Sequence, residues 1–206
     1  MAVLVGMRGQ KTHDEIYDAS GTITTGSTAQ LILPMHDQRS MLFIQNISST
    51  VMYVEFGGAR AHTTLSSNAV SSITVDNAGF GYTVPPRVIF YGGGDLTKNP
   101  NYLCPGIPGN VMPGKLPVAH AVLGSGTVTS IVIDDPGPAY FVKAPMVFLQ
   151  SHENDPYGAA TPSATSGTLL AASGGSLLFN GTSTPTSAVS VFCTATSAAF
   201  TCKWML

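Results

Sequence analysis

Short runs of alternating apolar and polar residues, separated by Gly, Ser, Thr, Asn and Pro, recur along most of this 206-residue chain. Alternation with a period of two marks a half-buried strand, so the pattern predicts many short β-strands. Thr22-Ile23-Thr24 and Gln30-Leu31-Ile32-Leu33 read as strands near the start. Residues 39–46 read as a buried strand, 47–50 as a corner and 51–58 as a returning strand closed by a glycine pair, which together predict a β-hairpin. At the far end, 167–170 and 174–179 flank a small-residue turn as a second set of hairpin signals. Residues 188–193 and 199–204 follow, the last with Phe200, Cys202 and Trp204 on one face. Neither end has enough strands to close a sandwich alone, whereas the two combined do. The expected fold is therefore all-β. A small β-sandwich or jelly-roll-like domain, residues 21–60 plus 165–206, is split by an inserted module at 61–164. Residues 1–20, polar and short of core formers, predict an N-terminal arm, disordered alone or ordered by a neighbouring subunit.

Inside the insert, the pattern repeats itself. Val70-Ser71-Ser72-Ile73-Thr74-Val75-Asp76-Asn77-Ala78-Gly79-Phe80-Gly81-Tyr82 is echoed by Val128-Thr129-Ser130-Ile131-Val132-Ile133-Asp134-Asp135-Pro136-Gly137-Pro138-Ala139-Tyr140. Each copy runs on to a proline, Pro86 or Pro145, and an apolar pair, Val88-Ile89 or Val147-Phe148. A strand, a turn carrying Gly and Tyr, and a second strand explain this order. Gly79 and Gly81 allow positive φ where the chain reverses. Tyr82 is expected to lay its ring over the small turn residues with its hydroxyl in water. Pro136, Pro138 and Ala139 make the second turn stiffer and different in shape. Between the copies, residues 95–117 predict a long Pro/Gly/Asn-rich surface loop. Residues 151–166 read as a polar return linker.

Composition narrows the function classes. Only 10% of residues are charged, against about 25% in an average domain. From Pro156 to Cys202 no charged side chain occurs. Charge supplies solubility, so burial against a partner is the simplest account, with Ser, Thr and Asn solvating the outer face as the alternative. The net charge of −2 and the scattered Lys and Arg argue against nucleic acid. The apolar start, Ala2 to Val5, is too short for a signal core or a membrane span. Three cysteines give an odd count and no secreted disulfide framework. Cys193 and Cys202 read as buried thiols, with a cross-strand disulfide as the alternative. Cys104 sits alone in the long loop.

Little in the chain resembles catalytic machinery. His13, His36, His62, His120 and His152 show no metal-ligand spacing and read as solvated surface residues. Asp76, Asn77, Asp134 and Asp135 stand at strand-to-turn boundaries, where Asx side chains cap turns. Oxygen coordination of calcium, or a paired-carboxylate site, is the alternative. No nucleophile elbow or phosphate loop occurs. The expectation is no enzyme, no cofactor and no metal. Tyr91 and Tyr102 are the candidate contacts for a glycan or partner, since Tyr82 and Tyr140 are assigned to packing over their turns.

The pattern V-x-S-I-x-V-x-x-x-G-x-G-Y-x-x-x-P-x-V resembles a repeat of structural proteins in tailed bacteriophages. Copy one matches it nearly throughout. Copy two keeps Val128, Ile131, Gly137, Tyr140, Pro145 and Val147, departs at Ala139 and carries one extra residue before Pro145. Residues 39–46 and 51–58, with 174–200, are similar to a short β domain of small phage virion proteins. The resemblance implies a virion structural protein assembled in the host cytoplasm, either a capsid decoration or cement protein or a tail or fibre accessory. Implied partners are the major capsid protein or other virion proteins, and a homo-oligomer, by analogy a trimer. The split domain would attach to the particle while the module is displayed. A carbohydrate- or receptor-binding module is the competing expectation.

Overall fold

The computed structural model describes residues 15–92, 116–137, 143–152, 154–155 and 157–206. Fifteen strands follow in chain order: β1 Ile16–Asp18, β2 Gly21–Thr22, β3 Gln30–Leu33, β4 Met41–Asn46, β5 Met52–Phe56, β6 Arg60–Ser66, β7 Ala69–Asn77 and β8 Arg87–Tyr91. After them come β9 Val118–Gly124, β10 Thr127–Asp135, β11 Met146–Gln150, β12 Thr168–Leu170, β13 Ser176–Asn180, β14 Val189–Cys193 and β15 Ala199–Met205. All their pairings are antiparallel, and one 3₁₀ turn, Gly181–Ser183, is the only helical element among the described residues. The protein is all-β.

Strands from both chain ends build two sheets. One has the order β1-β15-β4-β13, with β2 also on β15; the other has the order β12-β5-β14-β3. Leu42, Ile44, Phe200 and Cys202 of the first share one buried core with Leu33, Met52, Val54, Leu170, Val189 and Val191 of the second. The alternation in β4, where Leu42, Ile44 and Asn46 are buried and Met41, Phe43 and Gln45 are not, sets its inner and outer faces.

The two expected hairpins do not form. β4 pairs with β13 and β15, whereas β5 pairs with β12 and β14, so residues 47–51 carry the chain from one sheet to the other. The segment between β12 and β13 makes the same crossing. The reason lies at Asn46, which is fully buried. Its amide Nδ2 donates to the carbonyls of Thr50 at 2.8 Å, Leu170 at 3.2 Å and Ala171 at 3.1 Å. Its Oδ1 accepts from the Ser48 amide at 3.0 Å and hydroxyl at 2.7 Å. One side chain thus satisfies the backbone of both crossings, which buried polar groups require.

Two more expectations change in the same region. Residues 16–18 of the expected arm are a strand: β1 pairs with residues 203–205 of β15, and Lys203 donates to Asp18. That contact, with the Ser20 hydrogen bonds, holds the Asp18 carboxyl well below the usual carboxylate range. Cys193 and Cys202 lie on β14 and β15, in different sheets, and are free buried thiols rather than cross-strand neighbours. Burial pushes the Cys202 thiol up to about 12 from 9.0. Since both thiols are buried, native protein should resist a disulfide thiol reagent at these two positions at pH 8 and react fully in denaturant. Because the folded value lies above the ordinary one, stability from the protonated thiol is intact below pH 9.0 and falls as pH rises toward 12. Fast labelling of both thiols in the native state would contradict this.

Strands β6 to β11 form three ribbons: hairpin β6–β7, hairpin β9–β10, and β8 paired with β11. They neighbour one another in a ring, β7 against β10, β9 against β8 and β11 against β6. Ala61, Ile73, Val75, Val88, Ala119, Ile131, Leu123 and Leu149 fill its centre. Entry and exit of this region lie side by side: the Ala160 amide donates to the Gly57 carbonyl at 2.7 Å. Residues 158–160, expected as part of a polar return linker, are instead buried. Ala159 and Ala160 are fully buried, and Ser190 Oγ on β14 donates to the Ala160 carbonyl at 2.7 Å. Small side chains there allow the close backbone approach.

Candidate functional site

The repeat is longer than its obvious sequence match. Ala61-His62 and Leu65 in β6 stand at the same offset from copy one as Ala119-His120 and Leu123 in β9 stand from copy two. Each copy is thus a hairpin followed by a third strand. Two-residue turns close the hairpins, Ser67-Asn68 with φ 50° and 63°, and Ser125-Gly126 with φ 51° and 77°. Positive φ at both turn positions matches the right-handed twist of the strands. Bulges recur at matching positions too, at Ser71 and Asp76 in β7 and at Thr129 and Asp134 in β10.

The histidines and the boundary carboxylates meet at these bulges. His62 Nδ1 lies 2.7 Å from Asp76 Oδ1, and His120 Nδ1 lies 2.9 Å from both oxygens of Asp134. Sequence reading placed the two histidines singly on the surface; the repeated Ala-His-x-x-Leu was the signal that could have joined them to Asp76 and Asp134. Asn77 Oδ1 and Asp135 Oδ1 each accept the amide two residues on, from Gly79 and Gly137 at 2.9 Å. The Asx turn-capping account holds at both positions. Among the described residues no group of three or more His, Cys, Asp or Glu gathers to hold a metal.

The strands on either side of the Gly-Tyr turn, β7 and β8 in copy one and β10 and β11 in copy two, do not pair with each other. β8 of copy one pairs instead with β11 of copy two, with Ile89 opposite its repeat equivalent Phe148. The copies are therefore related by a local two-fold and exchange third strands. The turn before β8 is held by Tyr82. Gly79 and Gly81 take φ of 61° and 80°, as their positions demand. The Tyr82 hydroxyl is not in water: the ring is buried and its oxygen accepts the Ala59 amide at 2.6 Å. A slot between glycines explains the difference. A Cβ on Gly158 would stand 2.3 Å from ring Cε1, and one on Gly58 would stand 2.3 Å from the hydroxyl oxygen. Gly158, with no assigned role in the sequence reading, makes room for the ring. Buried Asp155 finishes the turn, Oδ2 accepting the amides of Thr83 at 2.7 Å and Val84 at 2.9 Å.

Outer faces separate the copies. Copy one presents Arg60, Thr64 and Thr74 where copy two presents exposed Val118, Val122 and Val132. The third strands add Ile89, Tyr91, Met146 and Phe148, with Met146 57% and Phe148 51% exposed. Copy one folds with polar residues at its hairpin positions, so the valines of copy two are not demanded by the ring. Exposed apolar residues gathered on adjacent strands mark a surface suited to contact. Tyr91 lies opposite Met146 on this face, its ring edge-on to Phe148 at 6.5 Å. Beside them a groove of about 310 Å³ is lined by Ala61, His62, Thr63, Pro145, Met146 and Phe148. Tyr102, Tyr140, Cys104, residues 1–14 and most of the expected loop 95–117 lie outside the described residues.

Comparison with protein-family models, curated proteins and solved structures found no match to this chain.

Proposed function

We propose that this chain is a non-enzymatic structural protein of a tailed-bacteriophage virion, a capsid decoration or cement protein that binds the particle as a homo-oligomer. One observation carries the reading: the order of strands in the two larger sheets. The order β1/β2-β15-β4-β13 beside β3-β14-β5-β12 supports reading these sheets as a jelly roll, an architecture used in viral capsid and lectin domains. On this reading residues 21–60 and 165–206 form one split domain. The module at 61–164 is inserted between β5 and β12, and the neighbouring entry and exit at Gly57 and Ala160 support that. The uncharged stretch from Pro156 to Cys202 supplies β12 to β14. It suits contact with the major capsid protein or another virion protein, while the module faces outward.

Fold alone does not fix function, so location is the test. Gold-labelled antibody against this protein, applied to intact particles of the phage that encodes it, should decorate the head. Labelling of the tail or fibres would favour an accessory role there, and unlabelled particles would end the virion reading. The exposed Tyr91, Met146 and Phe148 favour a second reading, in which the module binds a host glycan or receptor by stacking and apolar contact. A glycan array probed with the full-length protein separates the two. No binding to any surface polysaccharide counts against the second.

A further inference from the structure

The two larger sheets present four edges, and three of them are guarded against further pairing. β1 has three residues, beside Glu15 and with Asp18 paired to Lys203. β3 is interrupted by a bulge opposite Val189/Ser190 and followed by Pro34. β12 has only three residues. Shortness, charge, bulges and proline stop an edge strand from recruiting another chain.

β13 carries none of these guards. Ser176-Leu177-Leu178-Phe179-Asn180 contains no charge and no proline and pairs with β4 without a register shift. Among the described residues no strand lies on its other side. The ladder to β4 fixes which backbone groups are left over. The Asn46 amide donates to the Gly175 carbonyl at 2.9 Å, and the Gly181 amide to the Ser40 carbonyl at 2.8 Å. Hydrogen bonding alternates along an antiparallel pair, so between these ends Leu177 and Phe179 bond β4. Ser176, Leu178 and Asn180 turn their N–H and C=O groups to the open edge, and all three residues are exposed. Of these groups the Asn180 carbonyl accepts the Ser183 hydroxyl at 2.8 Å, and a carbonyl has room for a second donor.

We propose that β13 is a two-fold assembly edge, which pairs antiparallel with β13 of a second copy of this chain and is centred on Leu178. This names the contact behind the homo-oligomer of the proposed function and rests on that part of it. It makes the oligomer a dimer rather than the trimer that the resemblance implies. Read from either end, the strand has the same order of polar, apolar and polar residues. Centred on Leu178, the pairing sets Leu178 opposite its twin and Ser176 opposite Asn180, the three positions whose backbone groups face outward. Each such pair exchanges two hydrogen bonds. Centring on Leu177 or Phe179 would leave Asn180 or Ser176 outside the ladder. The side chains agree with this register. Leu177 and Phe179 are only partly buried at the margin of the core, with Phe179 edge-on to Phe56 at 5.3 Å. Pairing sets Leu177 against Phe179 of the second copy and joins the two cores. On the outer face Leu178, 60% exposed, lies opposite Phe43 of β4, and its twin extends that apolar row. The contact is isologous, so it covers the open edge in both copies and stops at two.

The test uses the full-length chain. Sedimentation velocity should show monomer and dimer in concentration-dependent exchange. Leu178→Lys and Leu178→Glu, at an exposed site, should each keep the parent's circular dichroism. Each should raise the dissociation constant by about tenfold or more, since like charges then face across the two-fold. An equimolar mixture of the two should dimerise again, because lysine then faces glutamate. Leu178→Cys with Cys104→Ser should oxidise to a disulfide-linked dimer, because the Cα separation of a hydrogen-bonded pair, about 5.5 Å, suits that bond. A monomer at every concentration, an oligomer indifferent to both charges, or a mixture no tighter than either variant alone would each overturn the proposal. A monomer that still decorates particles would end this inference and leave the virion reading standing. Dimers through β13 with no labelled particle would do the reverse.

Discussion

Replacing Asn46 by alanine should lower the unfolding free energy by roughly 3–5 kcal/mol, among the largest effects of any single polar substitution here. The side chain is fully buried and donates to the carbonyls of Thr50, Leu170 and Ala171 while accepting from Ser48. Truncation leaves these backbone groups without partners, and each unsatisfied buried group costs about 1–3 kcal/mol. Asn46→Asp should be worse, because it retains the acceptor toward Ser48 but sets a carboxylate against three carbonyl oxygens. Urea denaturation reads the result as a lower midpoint at an unchanged slope. A midpoint within the range of surface substitutions would show that the two crossings are held by something other than this amide.

The second large effect lies at Tyr82. Tyr82→Ala should cost roughly 3–5 kcal/mol by emptying a buried aromatic site. Tyr82→Phe should cost about 1–3 kcal/mol, because it strands the buried Ala59 amide that bonds the hydroxyl at 2.6 Å. Gly158→Ala should cost about 1–3 kcal/mol, since its new methyl would stand 2.3 Å from the ring. The informative measurement is the double variant. With the ring gone, the three atoms nearest the added methyl at residue 158 are removed, so its penalty should shrink and the two changes should couple strongly. Additive costs would mean that the glycine serves the backbone rather than the ring.

Both sites were poorly legible in the sequence. Asn46 read as the last residue of a strand, which it is, but two of the carbonyls it bonds belong to a segment more than a hundred positions away in the chain. Gly158 read as an ordinary linker glycine because the ring that needs it arrives from copy one of the repeat. Strand content and position were far more visible. The alternation through residues 39–46 and 199–204 matches the faces that β4 and β15 bury, and Gly79 and Gly81 carry the positive φ assigned to them.

Of the candidate surface, Tyr91 was picked out because Tyr82 and Tyr140 were assigned to packing over their turns, and it lies on the exposed face of β8. Its neighbours on that face, Met146 and Phe148, belong to the other copy and were not joined to it. The His62–Asp76 and His120–Asp134 pairs were overlooked because each histidine precedes its repeat's recognisable core and meets its carboxylate across a hairpin.

Local sequence determined that this chain forms strands, where most of them lie, which side of each is apolar and that one segment is duplicated. Those properties depend on residues two to four apart, through alternation and the φ demands of turns. Tertiary structure alone decided which strands pair. A strand's pattern names its buried face and is silent about its neighbour, because backbone hydrogen bonding is the same for every partner. Hence β4 and β5, adjacent in sequence and hairpin-like in pattern, lie in different sheets, and the third strands of the repeat cross over to each other.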